Sequence, residues 1–360
     1  MIVRVDPNYC MSSYLALRFI EDEDIWFKKD LPHPLHRPVP PEEQMVCNTA
    51  QEIHQGIEKL LEGKLDHPES LGIMLSGGAD SAIVASYMPR GARAYTARCS
   101  APGAVDETER AAEIARRCGL EHVVVEVSWE DYLRLSPELM RHDGSPIHAN
   151  EPQVYKLARR AVEDGVRLMI FGDNADMAFG GYDQLLSRDW TYEEWKKRYT
   201  YVEPAAVLRE PVDMDYLFAR YRSDAPWFNG VDYISFMNDI FAISSTGSYT
   251  NAFRLAGLPF FDPYAYMRMD EPGFPTPYDL ERIRAGESKY LIRELFSRRY
   301  PDLPWPEKIA MARAMDQWMK DWQGPERPEF LPLRGKMDRF TGEQKWQIFN
   351  LEWFLNLMEE

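Results

Sequence analysis

Residues 71–85 have the sequence LGIMLSGGADSAIVA, which is the strongest single signal in the chain. An apolar run at 71–75 is typical of a buried strand, and the segment 82–87 is apolar with helical character. Between them stand a serine and two glycines. Only glycine lets a backbone turn this tightly and expose successive N–H groups to an anion. The stretch therefore predicts a strand, a phosphate-binding turn and a helix.

The polar residues of this turn suit a nucleotide phosphate and a magnesium ion. Ser76 and Ser81 offer hydroxyl donors, and Asp80 offers a hard oxygen ligand for Mg²⁺. The new helix directs its positive end to the same place. No lysine follows the glycines, so this is not the GxxxxGK[ST] loop of kinases and GTPases. The alternative is an ordinary turn between a strand and a helix.

Strand and helix patterns alternate along the next hundred residues. Further strands are predicted at 92–97, 122–127 and 166–171, and helices at 43–61, 107–117 and 151–163. Alternation of this kind predicts an α/β fold, in which a parallel sheet has helices on both faces and binds ligands at the carboxyl ends of its strands. Beyond Tyr182 the pattern becomes helical, aromatic and proline-punctuated, which predicts a mainly helical carboxyl-terminal region packed against the sheet.

A second polar segment, GDNADMAFGGYD at 172–183, follows the fourth predicted strand. It places Asp173 and Asp176 on a tight loop at the same edge of the sheet as Asp80. Two aspartates from separate loops that face one phosphate site are what a Mg²⁺–pyrophosphate complex requires. The two segments together predict a site for a magnesium nucleotide.

Composition excludes several classes of partner. Asp and Glu total 58 against 42 Lys and Arg, a formal net charge of −16, so we expect no nucleic-acid or anionic membrane partner. The amino terminus lacks the apolar core of a signal peptide, and no apolar run approaches the ~20 residues that span a bilayer. The four cysteines show no CxxC spacing. These features predict a reduced, cytoplasmic protein.

The two glycine-rich segments resemble the SGGxDS and GxGADExFGGY motifs of the synthetase domain of glutamine-hydrolysing asparagine synthetases, a family that includes the β-lactam synthetases. Other segments are similar to the same family's pattern: AVDETERAAEIARRCGLEHVVVEVSWEDY at 104–132, HDGSPIHANEPQVYKLAR at 142–159, LPFFD at 258–262, GESKYLIRELF at 286–296, WPEKIAMAR at 305–313 and WQIFNLEWFLNLM at 346–358. The resemblance covers about residues 55–358. It implies the adenine nucleotide alpha hydrolase-like fold of the ATP-pyrophosphatase type.

The resemblance also implies a site for ATP and Mg²⁺. The residues implied to hold ATP are Ser76, Gly77, Gly78, Asp80, Ser81 and Gly172, and those implied to bind Mg²⁺ are Asp80 and Asp176. Lys308 matches a lysine that neutralises charge on the α-phosphate and the departing pyrophosphate. Lys289 matches another lysine near the phosphates. The alternative for each lysine is a surface ion pair.

Asp173 and several other positions depart from the family pattern. Asp173 stands where the family has a glutamate or a tyrosine; it either orients or deprotonates an incoming amine or caps its own loop. Met177 replaces an acidic residue and Asn174 a glycine, while Leu255 and Gly257 replace an acidic residue and an arginine. These changes put aspartate as the substrate in doubt without touching the ATP chemistry.

The glutaminase half of an asparagine synthetase is not expected here. That domain needs a cysteine directly after the initiator methionine, where this chain has Ile2, and about 70 residues precede the ATP loop. We expect a short amino-terminal segment at 1–54 and a synthetase-like domain at 55–360, of which 183–360 is a helical extension. We therefore expect no ammonia from the chain's own hydrolysis of glutamine.

The expected function is an ATP-dependent amide-forming ligase. It adenylates a substrate carboxylate with release of pyrophosphate and then joins it to ammonia or an amine with release of AMP. One alternative is a ring-forming cyclase of the β-lactam synthetase type. Alternatives of another class are a sulfur-transfer or tRNA-modifying ATP pyrophosphatase and a non-catalytic nucleotide-binding relative. The partners expected are a small carboxylate and a nitrogen donor, with a homo-oligomer or a separate ammonia-supplying protein left open.

Overall fold

The computed structural model describes residues 3–225, 230–307 and 311–359. The strands in chain order are β1 (Arg4–Val5), β2 (Ile25–Trp26), β3 (Met45–Val46), β4 (Leu71–Met74), β5 (Arg93–Cys99), β6 (Glu121–Val127), β7 (Leu168–Ile170), β8 (Arg222–Ser223), β9 (Gly230–Val231), β10 (Phe260–Phe261) and β11 (Met267–Arg268). The longest strands fall where the sequence predicts strands.

Helices make up most of the remaining structure. The α-helices are α1 (Pro7–Leu17), α2 (Ala50–Leu61), α3 (Ala79–Ala85), α4 (Thr108–Cys118), α5 (Trp129–Asp143), α6 (Glu151–Glu163), α7 (Ala175–Ala178), α8 (Asp183–Leu186), α9 (Tyr192–Tyr199), α10 (Asp215–Ala219), α11 (Tyr233–Phe236), α12 (Ala242–Ala256), α13 (Leu280–Arg284), α14 (Tyr290–Arg299), α15 (Met315–Trp318) and α16 (Gly342–Leu357). A π-helical turn at Met237–Phe241 leads into α12, and short 3-10 turns occur between other elements.

A five-stranded parallel sheet forms the centre of the fold, in the order β10-β7-β4-β5-β6. The chain moves outward from β4 through β5 to β6, then returns to β7 on the other side of β4. Right-handed crossovers in opposite directions place their helices on opposite faces, and both α4 and α6 contact β5 and β6. The predicted α/β fold with helices on both faces is therefore confirmed.

The reversal between β4 and β7 positions the site. In open parallel sheets, ligands bind outside the carboxyl ends of the strands where the strand order reverses. The two segments that follow β4 and β7 are the two glycine-rich motifs. Strand β10 pairs with β7, so Asp262, the residue after β10, also reaches this edge.

Local sequence explains the ends of the helices. Thr49 and Glu52 form a reciprocal capping box at the start of α2, which explains why this helix begins at Ala50 and not at the predicted residue 43. Gly119, in a left-handed conformation, ends α4. Helix α6 has Pro152 in its first turn, where the missing N–H does no harm, and it spans the predicted residues 151–163.

The amino-terminal segment packs into the rest of the chain. Nine of the eleven residues of α1 are buried. The hydroxyl of Tyr14 donates to the carbonyl oxygen of Ile147 at 2.8 Å and contacts Oδ1 of Asn350 on α16 at 3.1 Å. The side-chain amide of Gln347 donates to the carbonyl oxygens of Tyr14 and Leu15. The division at residue 54 stays a prediction, since these contacts join the segment to the middle and to the carboxyl-terminal helix of the domain.

Candidate functional site

The loop after β4 is held closed by its own serine side chains. The Ser76 and Ser81 hydroxyls are 3.1 Å apart, and the backbone N–H of Gly78 donates to Oγ of Ser76 at 3.3 Å. Gly77 has a φ of +73°, and a β-carbon there would lie 3.0 Å from Cβ of Arg110 on α4. The turn therefore needs glycine for its conformation and for its close approach to α4. Its serines are placed to exchange these internal contacts for contacts with a ligand.

Asp262 fixes the loop after β7. Its Oδ2 accepts hydrogen bonds from the backbone N–H groups of Asp173 and Asn174 at 3.0 Å each, and from the Asn174 side-chain amide at 2.9 Å. Oδ1 accepts from the backbone N–H of Tyr264 at 2.9 Å. Burial raises the pKa of Asp262 despite these hydrogen bonds, which favour the charged form. The orientation of Asp173 thus depends on the short strand β10.

The segment after β10 and the loop after β7 both approach the backbone of Asp80. The hydroxyl of Tyr264 donates to the carbonyl oxygen of Asp80 at 3.3 Å, and a β-carbon on Gly172 would lie 3.5 Å from that same oxygen. Because β4 and β7 are adjacent strands, these two approaches to Asp80 bring the two glycine-rich motifs to one place. The proximity that the sequence predicts for Asp80 and Asp176 therefore occurs.

Lys289 lies between those two carboxylates. Its Nζ is 2.5 Å from Oδ2 of Asp80 and 2.7 Å from Oδ1 of Asp176, and its side chain is 7% exposed. Burial alone lowers the pKa of Lys289, but the two carboxylates outweigh burial and hold its pKa above the usual value. An ammonium group that contacts both aspartates marks a point where their negative charges converge.

The absence of a side chain at Gly181 makes space for the ion pair between Asp176 and Lys289. A β-carbon at this position would lie 2.2 Å from Oδ1 of Asp176 and 2.4 Å from Cδ of Lys289. Real β-carbons do not approach other atoms so closely, so any side chain here displaces Asp176 or Lys289. The second glycine of the FGGY segment is therefore required by contact with the carboxylate.

Asp173 lies beside this cluster and is accessible to solvent. Its Oδ2 accepts a hydrogen bond from the Ser245 hydroxyl of α12 at 2.6 Å. Although part of the residue reaches solvent, the protein packed around the carboxyl group removes much of its hydration, and this desolvation is the main cause that raises the pKa of Asp173 to about 7. The Ser245 hydrogen bond favours the ionised form, and the negative charges of Asp262, Asp176 and Asp80 add to the rise. A carboxylate with this pKa can accept or release a proton near neutral pH.

The residues present fit a magnesium ion bound together with phosphate. Within residues 3–225, 230–307 and 311–359, no group of three or more His, Cys, Asp and Glu side chains is arranged to hold a metal by itself. Mg²⁺ usually takes one or two protein carboxylates and completes its octahedron with phosphate oxygens and water. Asp80 and Asp176, which converge on a single cation, provide that donor set beside the residue 76–78 loop.

The matched family is the one described as asparagine synthase, whose sequence model covers residues 53–235, just over half of the chain. The chain belongs to this family. The matched region contains β4 to β7 and both glycine-rich loops. Asp262 and Lys289 lie beyond it, but they contact its residues directly.

Curated relatives of the family match the chain over the same part. An asparagine synthetase (glutamine-hydrolyzing) 2 of Oryza sativa subsp. japonica is 25% identical over 172 residues, 44% of this chain and 27% of that protein. Asparagine synthetase B (glutamine-hydrolyzing) of Escherichia coli K12 is 24% identical over 150 residues, 36% of this chain and 27% of that protein. The chain thus spans about a quarter of the length of these relatives.

A structural comparison also matches NMN synthetase from Francisella tularensis. The TM-score is 0.27 and the sequence identity 13%, over 73% of this chain and 99% of the other. Among the described residues, no helix combines the length and the apolar character needed to cross a membrane.

The structure brings together most of the site residues suggested by the sequence. Ser76, Gly77, Gly78, Asp80, Ser81, Gly172, Asp173, Asp176 and Lys289 all lie at the carboxyl edge of β4 and β7. Lys308 lies outside the described residues. The roles of these residues in binding and catalysis stay predictions.

Sequence reasoning missed the supporting residues. The sequence indicates Asp262 only as part of the LPFFD segment and gives no indication of Ser245 or Tyr264. A carboxylate that follows a short apolar run could have indicated another strand end. Ser245 and Tyr264 carry no local signal, because their partners are 72 and 184 residues away in the chain.

Proposed function

We propose that the chain is an ATP-dependent ligase that adenylates a carboxylate and then forms an amide. The observation that carries the proposal is the convergence of Asp80, Asp176 and Lys289 beside the residue 76–78 loop. Two carboxylates and one lysine at a glycine turn suit a magnesium triphosphate better than any neutral ligand. Family membership supports ATP-dependent ligase chemistry in this domain.

In the first step, a carboxylate oxygen of the substrate attacks the α-phosphorus of ATP. The bond from that phosphorus to the bridging oxygen breaks, pyrophosphate leaves, and an acyl-adenylate forms. The amides and the serine hydroxyls of residues 76–81 hold the phosphates, and Lys289 balances charge on the departing pyrophosphate. Asp80 and Asp176 would hold Mg²⁺, which would supply Lewis-acid stabilisation of the phosphate oxygens.

In the second step, an amine or ammonia attacks the activated carbonyl carbon. The nitrogen loses a proton, the carbon–oxygen bond to AMP breaks, and an amide remains. Asp173 is placed to accept this proton, since its carboxylate lies beside the cluster, reaches solvent and has a pKa of about 7. Ser245 keeps the carboxylate in position.

The four cysteines do not favour the sulfur-transfer alternative. All four are free, and three of them are buried. Burial raises the pKa of Cys99 and of Cys118, whereas a nucleophilic sulfur carrier needs a lowered pKa. The strongly acidic composition also suits no tRNA partner.

The deciding experiment is pyrophosphate exchange into ATP in the presence of Mg²⁺ and a panel of carboxylic acids, without any amine. Adenylation is reversible, so an accepted acid should allow labelled pyrophosphate to be incorporated into ATP. Asp176→Asn should remove this exchange, while Asp270→Asn, an exposed carboxylate paired with Arg268, should not change it. Exchange that survives in Asp176→Asn would contradict the metal site. If no acid supports exchange although ATP binds, the domain is a nucleotide-binding relative without this activity.

A further inference from the structure

The side chain of Arg110 starts beside the glycine turn of the candidate site. A β-carbon on Gly77 would lie 3.0 Å from Cβ of Arg110 and 3.1 Å from the backbone nitrogen of Ala111. The first turn of α4 therefore packs directly against the residue 76–78 loop, and α3 and α4 also contact each other. Arg110 thus brings a guanidinium group to the loop proposed to hold phosphate.

The course of the chain directs this side chain towards the ligand-binding edge of the sheet. Helix α4 follows β5, so its first residues lie near the carboxyl end of that strand, the edge at which parallel sheets bind ligands. Long side chains in a helix point back towards its amino terminus. The charge of Arg110 acts on the carboxyl group of Glu107, one turn earlier, which agrees with this direction.

The hydrogen-bond donors of Arg110 are not used within the protein. Within residues 3–225, 230–307 and 311–359, its side chain forms no hydrogen bond and no ion pair. Nη2 is buried without an acceptor, whereas the residue as a whole is only partly buried, so Nε and Nη1 are open to solvent. A guanidinium has five N–H groups in a fixed fork, and a bound anion would supply the acceptors that the protein does not.

The acidic residues at the start of α4 do not neutralise this arginine. Asp106 accepts a hydrogen bond from the backbone N–H of Thr108 at 2.9 Å, which fixes its carboxylate at the start of the helix. Burial raises the pKa of the Glu107 carboxyl group to about 7, although Arg110 favours the ionised form. Near neutral pH Glu107 therefore carries only part of a negative charge, whereas the guanidinium is always positive.

The neighbouring groups suit a phosphate. The Ser76 and Ser81 hydroxyls and the amides of the glycine turn lie on the loop against which Arg110 packs. Lys289 reaches the same site from the start of α14, so two cations approach it from different helices. The planar fork of arginine matches two oxygens of a phosphate, which a point charge such as lysine does not.

The strand order indicates which phosphates are involved. Asp173 follows β7, the residue 76–78 loop follows β4, and α4 follows β5, and these three strands are neighbours in that order. The α-phosphorus has to lie near Asp173, since the amine attacks the acyl group attached to that phosphorus. A nucleotide whose other phosphates occupy the loop therefore presents those phosphates to the α4 side.

We propose that Arg110 binds the pyrophosphate portion of the bound nucleotide, together with the amides and hydroxyls of residues 76–81. In adenylation the bond between the α-phosphorus and the bridging oxygen breaks, and the oxygen leaves with both electrons of that bond. Arg110 and Lys289 both stabilise the charge that develops on this oxygen and on the departing pyrophosphate. This role in the reaction rests on the proposed function, whereas the binding of pyrophosphate does not.

The test is a calorimetric titration with inorganic pyrophosphate in the presence of MgCl₂, and a separate titration with AMP, both without any carboxylic acid. Arg110→Gln should weaken pyrophosphate binding about tenfold or more, as for loss of a hydrogen bond between charged groups, and should change AMP affinity by less than about twofold. Arg110→Lys keeps the charge but not the fork, so its pyrophosphate affinity should lie between those of the wild type and Arg110→Gln. Arg116→Gln is the matched control, because this side chain is on the same helix, is 71% exposed and pairs with Glu113; it should bind pyrophosphate as the wild type does.

A spectroscopic measurement reports on the arginine itself. In arginine-selective ¹⁵N-labelled protein, the Nε–H signal of Arg110 is assigned by its loss in Arg110→Lys. We expect this signal to shift saturably with pyrophosphate, at the concentrations at which calorimetry detects binding. A side chain that only packs against the loop would not make this response depend on the second and third phosphates, so AMP should leave the signal nearly unchanged.

Three results would overturn the proposal: no saturable shift with pyrophosphate at millimolar concentration, wild-type pyrophosphate affinity in Arg110→Gln, or an equal loss of AMP and pyrophosphate affinity in that variant. Thermal unfolding of each variant separates lost binding from lost folding, and Arg110→Lys serves if Arg110→Gln does not fold. The two proposals fail separately. Pyrophosphate binding through Arg110 without acid-dependent exchange contradicts only the ligase activity, and exchange with no response at Arg110 contradicts only the role of this arginine.

Discussion

The ammonium group of Lys289 lies 2.5 Å from Oδ2 of Asp80 and 2.7 Å from Oδ1 of Asp176, at a point from which one cation contacts both aspartates. Lys289 precedes α14 with φ of 53°, in the left-handed region that non-glycine residues rarely occupy. Its side chain is thus directed between the two loops by its own backbone. A magnesium ion that binds both carboxylates must take this place, and Lys289 must then move towards the phosphates.

Replacement of Lys289 by methionine tests whether Lys289 and Mg²⁺ compete for the same position between Asp80 and Asp176. Without the ammonium group, two partly buried carboxylates repel each other, and we expect the free energy of unfolding to fall by about 3 kcal/mol, as when one partner of a buried ion pair is removed. Mg²⁺ should restore much of this loss, because it binds the folded state and replaces the missing charge. Urea unfolding with and without MgCl₂ measures both effects.

The wild-type protein should gain less from Mg²⁺ than Lys289→Met, since in the wild type the ion must first displace Lys289. Lys320→Met, a lysine that the structure leaves exposed, is the control and should show the wild-type response. A variant as stable as the wild type and indifferent to Mg²⁺ would mean that Lys289 and the metal do not share a position.

Gly181→Ala should disrupt the cluster of Asp80, Asp176 and Lys289 by steric overlap, without a change in charge. The new methyl group would lie 2.2 Å from Oδ1 of Asp176, so the carboxylate has to move away from Lys289. We expect weakened Mg²⁺ binding and a loss of stability of about 1 to 3 kcal/mol, the usual cost of overpacking. Calorimetric titration with Mg²⁺ and urea unfolding test this pair of effects. Unchanged Mg²⁺ affinity in a stable variant would show that Asp176 does not bind the ion.

The central sheet could be predicted because its signals are local. The apolar runs of β4, β5 and β6 stand between turns and helices, and Pro152 marks the start of α6. Strand β10, by contrast, has two residues and exists only because it pairs with β7, 91 residues earlier in the chain. A strand of that length has no periodicity to detect.

The site could also be predicted where its signals are local, and not where it depends on long-range contacts. Asp80 and Asp176 follow strands that the sequence reveals, so their meeting follows from the rule for parallel sheets. The support of Asp173 by Asp262 depends on β10, and the approach of Arg110 to Gly77 depends on how α4 packs against the loop. Contacts of this range are set by tertiary packing and leave no pattern in the sequence.

Asp262→Asn should displace the residue 173–176 loop. One carboxylate oxygen accepts three hydrogen bonds from Asp173 and Asn174, and an amide nitrogen in its place would face donors. A buried donor left unsatisfied costs about 1 to 3 kcal/mol, so we expect a destabilisation of that size or more. Asn174→Ala is the comparison: it removes the side-chain amide, which also donates to the Tyr249 hydroxyl, but keeps both backbone donors to Asp262 and should cost less. Urea unfolding ranks the two variants; equal losses would contradict the anchoring role of Asp262.

Asp173 should make the stability of the protein depend on pH. Its pKa rises from the ordinary 3.8 to about 7 in the folded protein, so between these values the folded state holds a proton that the unfolded chain has released. Raising the pH through this window therefore lowers stability, and above about pH 7 the loss is complete. Asp173→Asn lacks this proton. The unfolding free energy of the wild type, relative to that of Asp173→Asn, should therefore fall between about pH 4 and about pH 7 and stay constant above pH 7. Urea unfolding of both proteins across this range, with the exposed Asp270→Asn as control, measures it; parallel curves would mean that Asp173 is ionised throughout and is no base near neutral pH.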